Sequence, residues 1–150
     1  MKIHNPPTIA DPIGTYSHGV EAPPNARWLY IAGQVGIRKD GSVPPTVEAQ
    51  TEVAWQNIVA ILAAAGMKVT DLVKIAQFLV NLEDFPKYAA TRAKFLAGHR
   101  PASTGLVIRS LVKPEYLVEV EAVAAKAAPA PKAAAKRPAA SKRAAKRKKR

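Results

Sequence analysis

The stretch that decides the fold begins His99-Arg100-Pro101-Ala102-Ser103-Thr104-Gly105-Leu106-Val107-Ile108, turns at Val112-Lys113-Pro114-Glu115, and returns as Tyr116-Leu117-Val118-Glu119-Val120-Glu121-Ala122-Val123. An apolar run, a proline-containing turn and a strictly alternating return arm predict a β-hairpin from His99 to Ala124. The period of two sets Tyr116, Val118, Val120 and Ala122 on one face and Glu119 and Glu121 on the other, beside Leu117 and Val123. Two carboxylates on such a strand have two readings. Buried away from positive charge, a carboxyl has a raised pKa and suits general acid or base work. Alternatively, Arg109 on the opposite arm forms a cross-strand ion pair with either glutamate.

Upstream of this stretch the apolar period lengthens. Phe85, Ala89, Ala93 and Leu96 form the stripe of a helix from about Phe85 to Ala97, ended by Gly98, and Val73 to Val80 before it reads as a strand. Val47, Ala54, Ile58, Ile61 and Ala65 mark an earlier helix, with Thr46 as N-cap and Gly66 just past its end. Its outer face carries Glu48, Glu52 and Gln56. Arg27 to Val35 is a strand rich in aromatic and β-branched residues, and Gly33 inside it marks a bulge or a close backbone approach. Ile13 to Val20 is a shorter strand, and the proline-rich residues 1–12 read as an extended lead-in. The order β, β, α, β, α, β, β predicts an α+β fold with a single sheet and both helices on one face. The other face, mixing carboxylates with apolar residues, suits a subunit interface.

With 150 residues, 48% of them hydrophobic, the chain suits one domain with one core. It has no cysteine, which excludes disulfides and thiol catalysis, and it starts without an apolar leader. The longest apolar run, Ile58 to Ala65, is too short to span a bilayer. The expectation is a cytoplasmic protein without a membrane partner. Of the 23 Lys and Arg that give the net charge of +12, eleven lie between Lys126 and Arg150, where there is no acidic residue. The body is therefore nearly neutral. Residues 1–124 read as the domain and 125–150 as a disordered basic tail of Ala, Pro, Lys and Arg. Lys142, Arg143, Lys146, Arg147, Lys148, Lys149 and Arg150 are its candidates for nonspecific DNA or RNA binding through phosphate neutralisation. The plainer reading is a solvated tail that aids solubility.

Several chemistries find no support. His4, His18 and His99 lack metal-ligand spacing, no phosphate-binding glycine loop occurs, and no serine sits in a nucleophile elbow. Tyr16 is either a packing residue with a tethered hydroxyl or one that orients a small polar ligand.

From about Pro12 to Ala124 the chain resembles the RidA/YjgF family of reactive-intermediate (enamine/imine) deaminases. The resemblance is carried by Ile13-Gly14-Thr15-Tyr16, Ala32-Gly33-Gln34-Val35, Ala64-Ala65-Gly66-Met67, Asp71-Leu72-Val73-Lys74, Leu82-Glu83-Asp84-Phe85, Arg100-Pro101-Ala102-Ser103-Thr104 and Val118-Glu119-Val120-Glu121-Ala122. It implies a chorismate-mutase-like fold, a homotrimer with small-molecule pockets between subunits, and hydrolysis of 2-imino acids to 2-keto acids and ammonia with no cofactor or metal. Carried over by position, Glu119 is the catalytic, water-positioning residue, and Tyr16, Ala32, Gly33, Ser103 and Gly105 line the pocket. The resemblance also marks a departure. Where the family's motif has a carboxylate-binding arginine, this chain has Ser103; Ala32 and Gly105 replace a serine and a cysteine. Removing a buried charge-assisted pair costs about 2 to 5 kcal/mol. The expectation is thus a divergent deaminase of altered substrate range, with Arg100 able to reach the pocket only if the backbone bends. The alternative is a noncatalytic trimer that displays its basic tails to nucleic acid.

Overall fold

The computed structural model of the chain describes residues 1–128. Four strands form the main sheet: β3 (Ala26–Val35), β4 (Leu72–Leu79), β5 (Ala102–Val107) and β6 (Val118–Ala127). Their spatial order is β3-β6-β4-β5, with β5 parallel to β4 and β6 antiparallel to both of its neighbours. Helices α1 (Val47–Ala64) and α2 (Phe85–Leu96) cover one face. A separate two-stranded ribbon joins β1 (Lys2–His4) to β2 (Gly19–Glu21). The lead-in thus contributes a strand, and the strand expected over Ile13 to Val20 shortens to its end, Ser17 adding one isolated bridge to Ala102.

The hairpin expected from His99 to Ala124 does not form. Its arms are β5 and β6, but β4 lies between them. The unit β4-α2-β5 is a parallel crossover, whose helix covers the sheet while β5 docks at the outer edge of β4. The other side of β4 is then open to β6, which pairs Val118 to Leu79 and Glu119 to Phe78. Tertiary packing favours that place for β6, because Val118, Val120, Ala122 and Ala124 are almost wholly buried and only an interior strand offers cover on both flanks. Strand β6 runs to Ala127, so residues 125–127, assigned to the tail by composition, belong to the sheet, and Ala125 is buried. The tail lysines and arginines from Lys142 to Arg150 lie outside the described residues.

Helix α1 follows its sequence signals. The Thr46 hydroxyl accepts from the Ala49 amide, and Gly66 takes up φ of +66° just beyond the end. Trp55, Ile58 and Leu62 pack on Ile75, Leu79 and Val120 in the core cluster. Gln50 is buried within that helix: its Nε2 donates to the carbonyls of Pro44 and Glu115, each at 2.8 Å, and its Oε1 accepts from the Leu117 amide at 2.8 Å. Gly36 is needed beside it, since a Cβ there would collide with the Gln50 side chain. One side chain thereby fastens the connection that leads into β6. Gln50→Leu should lower stability by on the order of 3 kcal/mol, from buried amide groups left without partners. Denaturant unfolding would measure it, and hydrogen exchange should quicken first at the Leu117 amide.

Candidate functional site

A cavity of about 620 Å³ opens between α2, β5 and residues 13–16. The register of the parallel pair explains its floor. Ser103 lies beside Ile75 and Gly105 beside Gln77, so both positions face the helices rather than the open face. Ile13, Phe85, Ala89 and Ala93 give the cavity apolar walls; Thr15, Tyr16, Gln77, Arg92 and Ser103 give it polar groups.

Those polar groups form one network. Gln77, which is buried, accepts at Oε1 from the Tyr88 hydroxyl at 2.7 Å and from Arg92 Nη1 at 3.2 Å. Because both partners donate, the amide is oriented with its Nε2 outward, where it donates to Ser103 Oγ at 2.8 Å. The second arm of the guanidinium, Nη2, donates to Thr15 Oγ1 at 2.7 Å. Burial pushes the Tyr88 phenol well above its ordinary range, only partly offset by the nearby Arg92 charge, so it remains a donor. The guanidinium carbon sits 5.7 Å from the Tyr88 ring centroid.

The mouth of the cavity is held by the chain around Ser17. The Ser17 hydroxyl donates to the Arg100 carbonyl at 2.6 Å, and the Arg100 guanidinium returns to the carbonyls of Gly14 at 2.8 Å and Tyr16 at 3.3 Å. Arg100 therefore does not line the cavity; it positions the segment that carries Thr15 and Tyr16. Gly105 has a steric task, since a Cβ there would come within 2.7 Å of the Phe85 ring.

The remaining sequence candidates lie elsewhere. Glu119, Gly33 and Ala32 belong to β6 and β3, with Glu119 on the open face beside Phe78. The strand bulges between Ile31 and Gln34, and a Cβ at Gly33 would fall on the Glu119 carboxylate. The expected close backbone approach is thus that of Glu119 itself. Its carboxylate has no cation within 4 Å among the described residues, so the ion pair with Arg109 does not form. Arg109 follows β5, which is not a neighbour of β6, and its guanidinium stays beyond 4 Å of Glu119 although the residues flanking it share a groove with that carboxylate. Glu119 shares a shallow groove with Ile108, Leu111 and Val112, and Ala32 lies in another with Tyr30 and Glu121. Within one chain, Tyr16, Ser103 and Gly105 come together, Glu119 and Gly33 come together, and the sheet stands between the two groups.

Sequence reasoning missed Thr15, Gln77 and Arg92. The stripe of α2 was expected to be Phe85, Ala89, Ala93 and Leu96, whereas its buried residues are Tyr88, Thr91, Arg92 and Leu96. Tyr88, Arg92 and Leu96 recur every four residues, a spacing that identifies a buried face, but an arginine on it reads as solvent-facing. Another groove, of about 680 Å³ between the helices, is lined by Glu48, Glu52, Lys87 and Lys94, of which Lys87 pairs with Glu48 at 4.0 Å. It holds ordinary surface charge and no comparable buried network. Among the described residues no three His, Asp or Glu gather as a metal site.

Comparison with known proteins agrees with this architecture. Residues 7–126 match the family described as endoribonuclease L-PSP. A RutC family protein of Pyrococcus horikoshii is 36% identical over 117 residues, 77% of this chain and 90% of that protein. The 2-iminobutanoate/2-iminopropanoate deaminase of Escherichia coli K12 is 35% identical over 118 residues, 76% of this chain and 89% of that enzyme. The crystal structure of a protein of unknown function from Yersinia pestis, assigned to the conserved Rid family, superposes with a TM-score of 0.75 at 30% identity, covering 82% of this chain and 96% of that one. Two helices on a mixed sheet, a bulged glycine strand against a glutamate strand and these matches along most of its length show that the chain belongs to the RidA/YjgF family.

Proposed function

We propose that the chain is a hydrolytic deaminase of small enamine- or imine-type metabolites, acting as a homotrimer in which a second copy completes each cavity. The observation that carries the reading is the Glu119 carboxylate lying over side-chain-free Gly33 with no cation to neutralise it among the described residues. A carboxylate so placed can accept a proton from water. Support also comes from the name of the E. coli relative, 2-iminobutanoate/2-iminopropanoate deaminase.

The balance of the reaction is simple. Water adds across the C=N bond, its oxygen to carbon and, through Glu119, its proton to nitrogen. The C–N bond of the resulting carbinolamine then breaks as its hydroxyl proton passes to nitrogen, leaving a carbonyl and ammonia. Neither step changes an oxidation state. Tyr16 and the Ser103 hydroxyl, on the cavity side, orient the substrate.

The homotrimer reading rests on separation and exposure. One chain keeps Glu119 and the cavity on opposite faces of its sheet, so the two can meet only between copies. Ile13 at the cavity rim is 98% exposed, and Tyr30 on the open face is 77% exposed, as expected of apolar surface that another copy covers.

The deciding assay generates 2-iminopropionate with an amino-acid oxidase and traps the survivor with semicarbazide. The protein should hasten the loss of imine over buffer; equal decay would refute the proposed activity. Glu119→Gln should slow turnover by about 10² to 10⁴-fold. Gly33→Ala, which drives the carboxylate from its seat, should cost at least about tenfold by the same logic while the protein stays folded by circular dichroism. Sedimentation equilibrium should return about three times the chain mass of 16.0 kDa, and a monomer would defeat the shared-site reading.

A further inference from the structure

Arg92 is 5% exposed, which is unusual for a side chain that never gives up its charge. Buried charges are ordinarily paired with an opposite charge, because the cost of leaving water is otherwise uncompensated. Arg92 has no such partner. No carboxylate lies within 4 Å of it among the described residues, and from Lys126 to Arg150 the sequence contains no Asp or Glu. Its hydrogen-bond acceptors, Thr15 Oγ1 and Gln77 Oε1, are neutral, and its Nε–H has none among the described residues. The guanidinium therefore carries an unneutralised positive charge at the wall of a 620 Å³ cavity.

The groups around it are arranged to leave donors for a guest. Gln77 and Thr15 each take one N–H, which fixes the plane of the guanidinium and leaves other donors of the fork unused. Ser103 Oγ accepts from Gln77 Nε2, so its own O–H is free to donate. Thr15 Oγ1 likewise accepts from Arg92 and keeps a hydroxyl proton to give. A planar anion meets a fork and two hydroxyls there, a pattern that suits a carboxylate. The rest of the lining, Ile13, Phe85, Ala89 and Ala93, suits a short aliphatic chain and offers no second cation.

We propose that Arg92, reaching the cavity from α2 with Thr15, Gln77 and Ser103 beside it, binds the carboxylate of a small aliphatic 2-oxo or 2-imino acid. The positive charge that the strand position Ser103 lacks is thereby supplied from the helix. The proposal rests on the reading of this cavity as the ligand site. It replaces the expectation of a pocket without an anion clamp by that of a clamp relocated to another element.

The test uses the full-length protein and an unreactive probe, 2-oxobutanoate, against its uncharged amide, 2-oxobutanamide. By isothermal titration the acid should bind at least about tenfold more tightly than the amide, since a charged pair in a dry site is strengthened over a neutral contact. Arg92→Met keeps the length and packing of the side chain and should abolish that preference. Arg92→Lys, which keeps charge but loses the fork, should retain part of it. In the imine assay Arg92→Met should act mainly on KM, as removal of a binding contact does. Equal binding of acid and amide by the wild type overturns the proposal and needs no variant to fold. So does an Arg92→Met protein of native circular dichroism that keeps the preference. If Arg92 is instead neutralised by a carboxylate of a second copy, acid and amide bind alike and Arg92→Met alters the oligomer mass, which also overturns it. Failure of the deaminase reading is distinct: acid binding through Arg92 without faster imine decay refutes the activity and leaves the clamp, whereas decay with KM unchanged in Arg92→Met refutes the clamp and leaves the activity.

Discussion

The architecture depends on β6 lying between β3 and β4. Hydrogen-bonded on both edges, it gives one face wholly to the core through Val118, Val120, Ala122 and Ala124 and presents Glu119 and Glu121 on the other. Its entry is fastened by Gln50, whose three bonds hold Pro44, Glu115 and Leu117 together. A slip of one residue would turn the glutamates into the core and the valines outward, a change that the burial of the valine face forbids. The same register brings the Glu119 side chain over the bulge at Gly33.

The placement of β6 also divides the chemistry. The cavity uses the helix-covered side of β4 and β5, where Gln77 joins the sheet to α2 and to Ser103. The carboxylate is on the far side. Such a division keeps the Glu119 carboxylate and the cavity apart within one chain, and Tyr30 stands exposed on the same open face as Glu119. Gln77, on β4 beneath α2, is the counterpart of Gln50 on α1: a buried amide whose donor and acceptor are both satisfied and which therefore specifies one arrangement of its neighbours.

Much of the chain was legible because local and tertiary preferences agree. The Thr46 cap, the Gly66 end, the alternation from Tyr116 to Ala122 and the meaning of Gly33 were all readable from spacing and residue type. The family motifs were legible as well. Where reading failed, a local pattern had two tertiary solutions. The apolar run and turn after His99 are consistent with a hairpin, and only the packing of α2 against the sheet makes β5 a partner of β4 instead. Arg100, beside the motif that drew attention to it, serves backbone carbonyls.

Sequence by itself determined both helices, the strands β3, β4 and β6, the core face of β6, the family and the serine at position 103, because each rests on residue chemistry, a motif or a short-range period. Tertiary structure alone decided the strand order, the split between Glu119 and the cavity, and the burial of Arg92. The physical reason is that burial of a charge is not a property of the residue. Arg92 becomes a cavity residue only because α2 docks with Tyr88, Arg92 and Leu96 inward, against Gln77 of a strand and Thr15 of a distant loop.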